Sequence, residues 1–122
     1  MPYINDAVFD AGLAVLTSNL TRIDICSQEP TTYTEATSTY TLGNKTGLTT
    51  GAATNGDTDG RKVVIPAITD GSVTGTNTAT HHAGTNGSNA LYTTEALSSS
   101  QAVTSGNTFT LDAINVTLRD AA

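Results

Sequence analysis

Near the start of the chain, apolar positions recur at helical spacing: Phe9, Leu13, Leu16 and Leu20 fall on one face, and Val8 and Val15 widen the stripe. The spacing predicts a helix over residues 6–20. Asn5 or Asp6 offers an acceptor to the unpaired amides of its first turn, and Asp6 and Asp10 suit the positive end of its dipole. Gly12 should weaken its middle by about 1 kcal/mol relative to Ala, unless a neighbouring backbone packs closely there. A helix of this length needs tertiary support.

Beyond Leu20 the period changes to two. Residues 22–27 alternate, with Ile23 and Ile25 on one face and Asp24 and Cys26 on the other, which predicts a half-buried strand. Residues 29–40 hold Pro30 and no clean period, so they read as a loop with about one helical turn. Residues 42–53 carry Gly43, Gly47 and Gly51 and predict a weak strand around Leu48. Residues 54–60 read as a turn and 61–67 as a strand whose Pro66, lacking an amide donor, favours an edge or terminal position. Asp70 and Gly71 mark the next reversal. Residues 72–85 and 90–97 form a hairpin about a turn at 86–89. In the last segment, 108–119, Phe109, Leu111 and Ala113 share a face before the phase shifts by one to Ile114, Val116 and Leu118, which predicts a bulge near Ala113.

These elements predict a mainly β fold: a small antiparallel β-sandwich or partly open barrel with one N-terminal α-helix, built as a single β-rich domain over 1–122. The length of 122 residues suits one domain. Leu, Ile, Val and Phe total only 24 residues, so the core must be thin. The 25 threonines, nearly all beyond the helix, favour extended chain. The helix and the strand from Phe109 to Leu118 are expected to form the core, leaving the threonine-rich strands and glycine loops as a flat hydrogen-bonding surface.

Charge narrows the choice of partners. The formal net charge is −6, from 5 Lys plus Arg against 11 Asp plus Glu, which argues against nucleic acid or an anionic membrane as a partner. No apolar run approaches the ~20 residues needed to span a bilayer, and the first residues lack a cationic, cleavable export signal, so synthesis in the cytoplasm is expected. Cys26 is the sole cysteine, which excludes an internal disulfide and a multi-cysteine metal site.

Chemical motifs are sparse. Asn55, Asp57 and Asp59, with Gly60 behind them, resemble the opening of a calcium loop, but Pro66 stands where such a loop supplies its bidentate Glu. A hairpin turn made of the same residue types is the favoured reading. His81 and His82 are adjacent on a strand and should point to opposite faces, one inward and one outward, with no evident further ligand. Cys26, near Asp24 and Glu29, should be a half-buried inert thiol. Ser98 to Ser100 lack a strained elbow and read as a polar loop. The run Gly43, Asn44, Lys45, Thr46 echoes a phosphate loop without its upstream glycine. Asn19, Asn44, Asn86 and Asn115 each open a glycosylation triplet, as chance gives in a chain so rich in Asn and Thr. A pair of carboxylates for glycoside hydrolysis is disfavoured, because the acidic residues sit mostly in turns.

Four blocks resemble small proteins encoded among the virion genes of tailed bacteriophages. They are Ile4-Asn5-Asp6-Ala7-Val8-Phe9-Asp10, Thr21-Arg22-Ile23-Asp24-Ile25-Cys26-Ser27-Gln28-Glu29-Pro30, Asp59-Gly60-Arg61-Lys62-Val63, and the stretch from Leu97 through Ser98-Ser99-Ser100-Gln101 to Thr110. The resemblance implies a structural virion component and carries over no catalytic or ligand-binding residues. Within that class the expectation is a capsid decoration (cement) protein on the outer surface of a phage head. Its partners would be the major capsid protein and further copies of itself, a trimer being favoured, with no cofactor and no enzymatic role. The alternatives are a tail or head-fibre component that contacts the host, and a carbohydrate-binding β-sandwich module. Such modules usually present aromatic platforms, whereas this chain has no Trp and four tyrosines, Tyr3, Tyr33, Tyr40 and Tyr92.

Overall fold

The computed structural model describes residues 5–56 and 60–119. The chain runs from helix α1 (Asp6–Asn19) through strands β1 (Arg22–Cys26), β2 (Thr41–Lys45), β3 (Thr54–Asn55), β4 (Arg61–Ile65), β5 (Ile68–Val73), β6 (Asn77–Thr85), β7 (Leu91–Val103), β8 (Thr108–Leu111) and β9 (Ile114–Leu118). Six strands form a curled antiparallel half-barrel in the order β7-β6-β1-β2-β5-β8, and a small second sheet has the order β3-β4-β9. Of the two expected architectures, the partly open barrel is the one found.

Asn5 caps α1: its side-chain oxygen accepts the Ala7 amide at 2.8 Å, satisfying one orphan donor of the first turn. Phe9, Leu13 and Leu16 are buried, but Val8 and Val15 stay 62% and 43% exposed, so the apolar stripe is narrower than the sequence predicts. The helix packs chiefly on the single strand β4, which covers only a narrow face. Leu13, Leu16 and Leu20 join Ile23 and Ile25 of β1, Val63 and Ile65 of β4, and Val103 and Phe109 from the two end strands of the large sheet. Since both ends of that sheet reach one cluster, the cluster occupies its concave side. The core is therefore wider than the helix and the 109–118 strand alone.

Strand β1 lies in the middle of the sheet and is buried on both faces, not on one. Its second face is covered by the segment that follows it, where a π-helical turn (Glu35–Thr39) brings Ala36 against Cys26 and Ala83, with Tyr40 alongside. The weak strand expected around Leu48 is instead β2, earlier in the chain, and Leu48 packs on the core from a loop. Gly43 is needed in β2, because a Cβ there would stand 2.4 Å from the Ser72 carbonyl oxygen. Asp70 and Gly71 do not reverse the chain. They lie inside β5 at a register shift against β8, and Gly71 leaves room for the Phe109 ring.

The hairpin of β6 and β7 turns at Asn86, whose side-chain oxygen accepts the amides of Ser88, Asn89 and Ala90. Strand β7 runs on to Val103, so Ser98 to Ser100 belong to a strand and not to a loop. Near Ala113 there is no bulge and no burial: Ala113 is exposed, and the chain leaves one sheet after Leu111 and joins the other at Ile114. A change of sheet produces the same shift of phase as a bulge, because the buried side is redefined by the new neighbours.

Candidate functional site

The half-barrel is open between its first and last strands. Among the described residues, β7 pairs only with β6 and β8 only with β5, so each leaves one edge of backbone N–H and C=O groups without a strand partner. A cavity of about 440 Å³ lies at this seam. One wall is β7, including Glu95, Leu97 and Gln101, and the other is the corner from β8 into β9, including Leu111, Asp112 and Ile114. Opposite Thr80 of β6, the register steps from Ala79–Gln101 to His81–Ala96, so four residues of β7, 97–100, oppose one. That bulge bends β7 at the cavity.

His82 lines the same cavity. It pairs across the sheet with Ile25 on one side and Glu95 on the other, which puts its ring on the concave face. Only 4% of it is exposed, and its Nδ1 is buried without a hydrogen-bond partner. Its Nε2 stands 3.7 Å from Glu95 Oε1, beyond a good hydrogen bond. Burial holds the His82 pKa below its ordinary value, and the pull of Glu95 only partly offsets this. Thr93, on the same face of β7, also has a buried hydroxyl without a partner.

His81 occupies the outer face, as the alternation predicts. Its Nδ1 is 2.9 Å from the Thr80 hydroxyl, which itself donates to the Ser27 carbonyl at 2.9 Å, and its Nε2 is 3.8 Å from Glu29. Each histidine thus faces a carboxylate far away in sequence or on a neighbouring strand, which adjacency alone does not reveal. Cys26 is fully buried where half-burial was expected, and its thiol donates to the Ala36 carbonyl at 3.6 Å. Burial, with Asp24 adding, pushes its pKa up to about 12.

Of the calcium-loop residues, Asp57 and Asp59 lie outside the described residues, and Tyr3 does as well. The flanks are strands: Thr54 pairs with Lys62 and Asn55 with Arg61, while the Gly56 amide donates to the Gly60 carbonyl. Asn55 Oδ1 accepts from Arg61 at 2.8 Å, so that oxygen serves the hairpin. Arg61 also reaches Asp10 at 2.9 Å, tying α1 to the small sheet. Among the described residues no three His, Cys, Asp or Glu side chains gather where they could hold a metal ion. Lys45, from the phosphate-loop echo, lies in β2 and pairs with Asp70 at 3.1 Å. Tyr40 and Tyr92 pack against the two core clusters and do not stand out as a platform.

No helix is long and apolar enough to cross a membrane among the described residues. No family model, curated protein or solved structure matches this chain.

Proposed function

We propose that this chain is a structural virion component, a decoration protein that binds the outer surface of a tailed-phage head and stabilises it. Its partners in this reading are the major capsid protein and further copies of itself, with a trimer favoured. The observation that carries the proposal is the unpaired edge of β7, a 13-residue strand largely open to solvent along a barrel left unclosed. Such an edge is a template for pairing with another chain. The resemblance of four blocks to virion proteins of tailed phages points to the same kind of role.

The size of the molecule suits repeated contacts. Its accessible surface is 6427 Å². A standard interface takes ~800 Å² from each partner, so two or three contacts can add stability to a thin core by mass action. A trimer multiplies weak contacts with a lattice through effective concentration. Ser72, Thr74 and Thr78 are exposed along the end of β5, the following turn and the start of β6, where they offer hydroxyls without apolar bulk, while the Thr76 hydroxyl accepts the Ser105 amide at 3.0 Å.

Heads assembled without the chain and mixed with purified protein test the proposal by co-sedimentation. Saturable binding that raises the temperature at which heads rupture is expected. Alanine at Ser72, Thr74 and Thr78 should weaken that binding and leave the unfolding midpoint unchanged. Absence of binding to heads would contradict the proposal.

A further inference from the structure

We propose that the seam between β7 and the β8–β9 corner receives an extended, cation-bearing segment of a partner protein, which adds to the free edge of β7 as an antiparallel strand. This names the partner chemistry of the seam and rests on the reading of the chain as an assembly module. Three observations converge on it.

The cavity follows the strand edge. Glu95 and Ala96 of β7, consecutive residues in regular register with β6, both line it, although successive side chains of a strand point to opposite faces. A space bordered by consecutive residues therefore runs along the backbone edge, where unpaired N–H and C=O groups await a strand. In the alternating order of the large sheet, β7 and β8 run in opposite directions. One inserted strand can be antiparallel to only one of them, and the longer β7 is the better partner.

The charge of the lining selects the occupant. Glu95 and Asp112 stand on opposite walls, both exposed, and no Lys or Arg is among the lining residues. The whole chain carries −6, so a second copy entering the seam would bring like charge, whereas a Lys or Arg side chain finds carboxylates on both sides. The third observation is His82, almost wholly buried, which lines the cavity and holds its Nε2 3.7 Å from Glu95 Oε1, too far to occupy that carboxylate with a good hydrogen bond. Glu95 is thereby left to a cationic side chain entering the seam.

Titration of the isotope-labelled full chain with three synthetic peptides tests this by NMR and amide exchange. The probes are an alternating threonine–lysine peptide about nine residues long, a threonine–glutamate peptide of equal length, and the lysine peptide N-methylated at alternate residues. The lysine peptide should shift residues 95–98 and 110–115 and slow amide exchange along β7. The glutamate and N-methylated peptides should not bind the seam, and the double variant Glu95→Gln, Asp112→Asn should weaken lysine-peptide binding by about tenfold. Equal binding of the N-methylated peptide would show attraction by charge alone and overturn strand addition. Shifts confined to other surfaces, or none, would overturn the seam as the site. Head binding is read separately by co-sedimentation, so failure of the seam and failure of the virion reading are distinguishable.

Discussion

Arg22 grips Asp24 two residues along the same strand: Nε meets one carboxylate oxygen at 2.7 Å and Nη2 the other at 2.9 Å. Asp24 has no exposed surface, and the Thr41 hydroxyl adds a third donor at 2.7 Å. Hydrogen bonding to Asp24 raises the Arg22 pKa further above its ordinary value. A buried carboxylate stripped of its guanidinium is strongly destabilising, so Arg22→Ala should cost about 3 kcal/mol of unfolding free energy. Thr41→Val removes one hydrogen bond to a charged group and should cost about 1.5 kcal/mol. Urea unfolding of both variants checks the order, and equal small losses would contradict it.

Two glycines should respond in opposite directions to alanine. At Gly12 a Cβ would meet only Leu118 Cδ1, at an ordinary 3.6 Å, and no backbone crowds it. Gly12→Ala should therefore stabilise the protein by about 0.5–1 kcal/mol through helix propensity. Gly43→Ala must displace the β5 backbone and should destabilise. Thermal melts of the pair read the sign directly.

Much of this architecture is legible in the chain, and the misreadings share a cause. Local rules place α1, its Asn5 cap, the Asn86 turn and the opposite faces of His81 and His82, because each depends on residues close in sequence. They fail where a distant element decides burial. Asp24 reads as the outward side of a strand, since nothing nearby says that residues 35–40 fold back over it. The shift of phase at Ala113 reads as a bulge, since a second sheet is not visible in one strand's pattern. The seam is illegible for the same reason: His82 and Glu95 pair across one hairpin, but Asp112 joins them only through the curl of six strands.

His82 gives the stability a pH dependence with a definite sign. Its folded pKa lies below its value in the unfolded chain, so between the two the unfolded state binds more protons. Its contribution is fully present above about pH 6.5 and is lost as pH falls through the folded value. Glu95 and His81 are the charged neighbours that tune it. Urea midpoints should fall between about pH 7 and pH 5, and His82→Gln should flatten that slope. An unchanged slope in the variant would contradict the assignment.

Cys26 should be silent while the protein is folded. Its thiol has a pKa pushed up to about 12 and no exposed surface, so almost no thiolate is available to a reagent. Thiol labelling at about pH 8 should be negligible in native buffer and complete in denaturant. Rapid labelling of the native chain would show that the π-helical turn over Cys26 opens readily.

The reading of the chain as an assembly module is tested most directly by a density map of purified phage particles. The account predicts density for this fold repeated over the outer face of the head lattice, seated against the shell protein. Particles whose head surface lacks it, with the chain recovered only as a free monomer, would contradict the account.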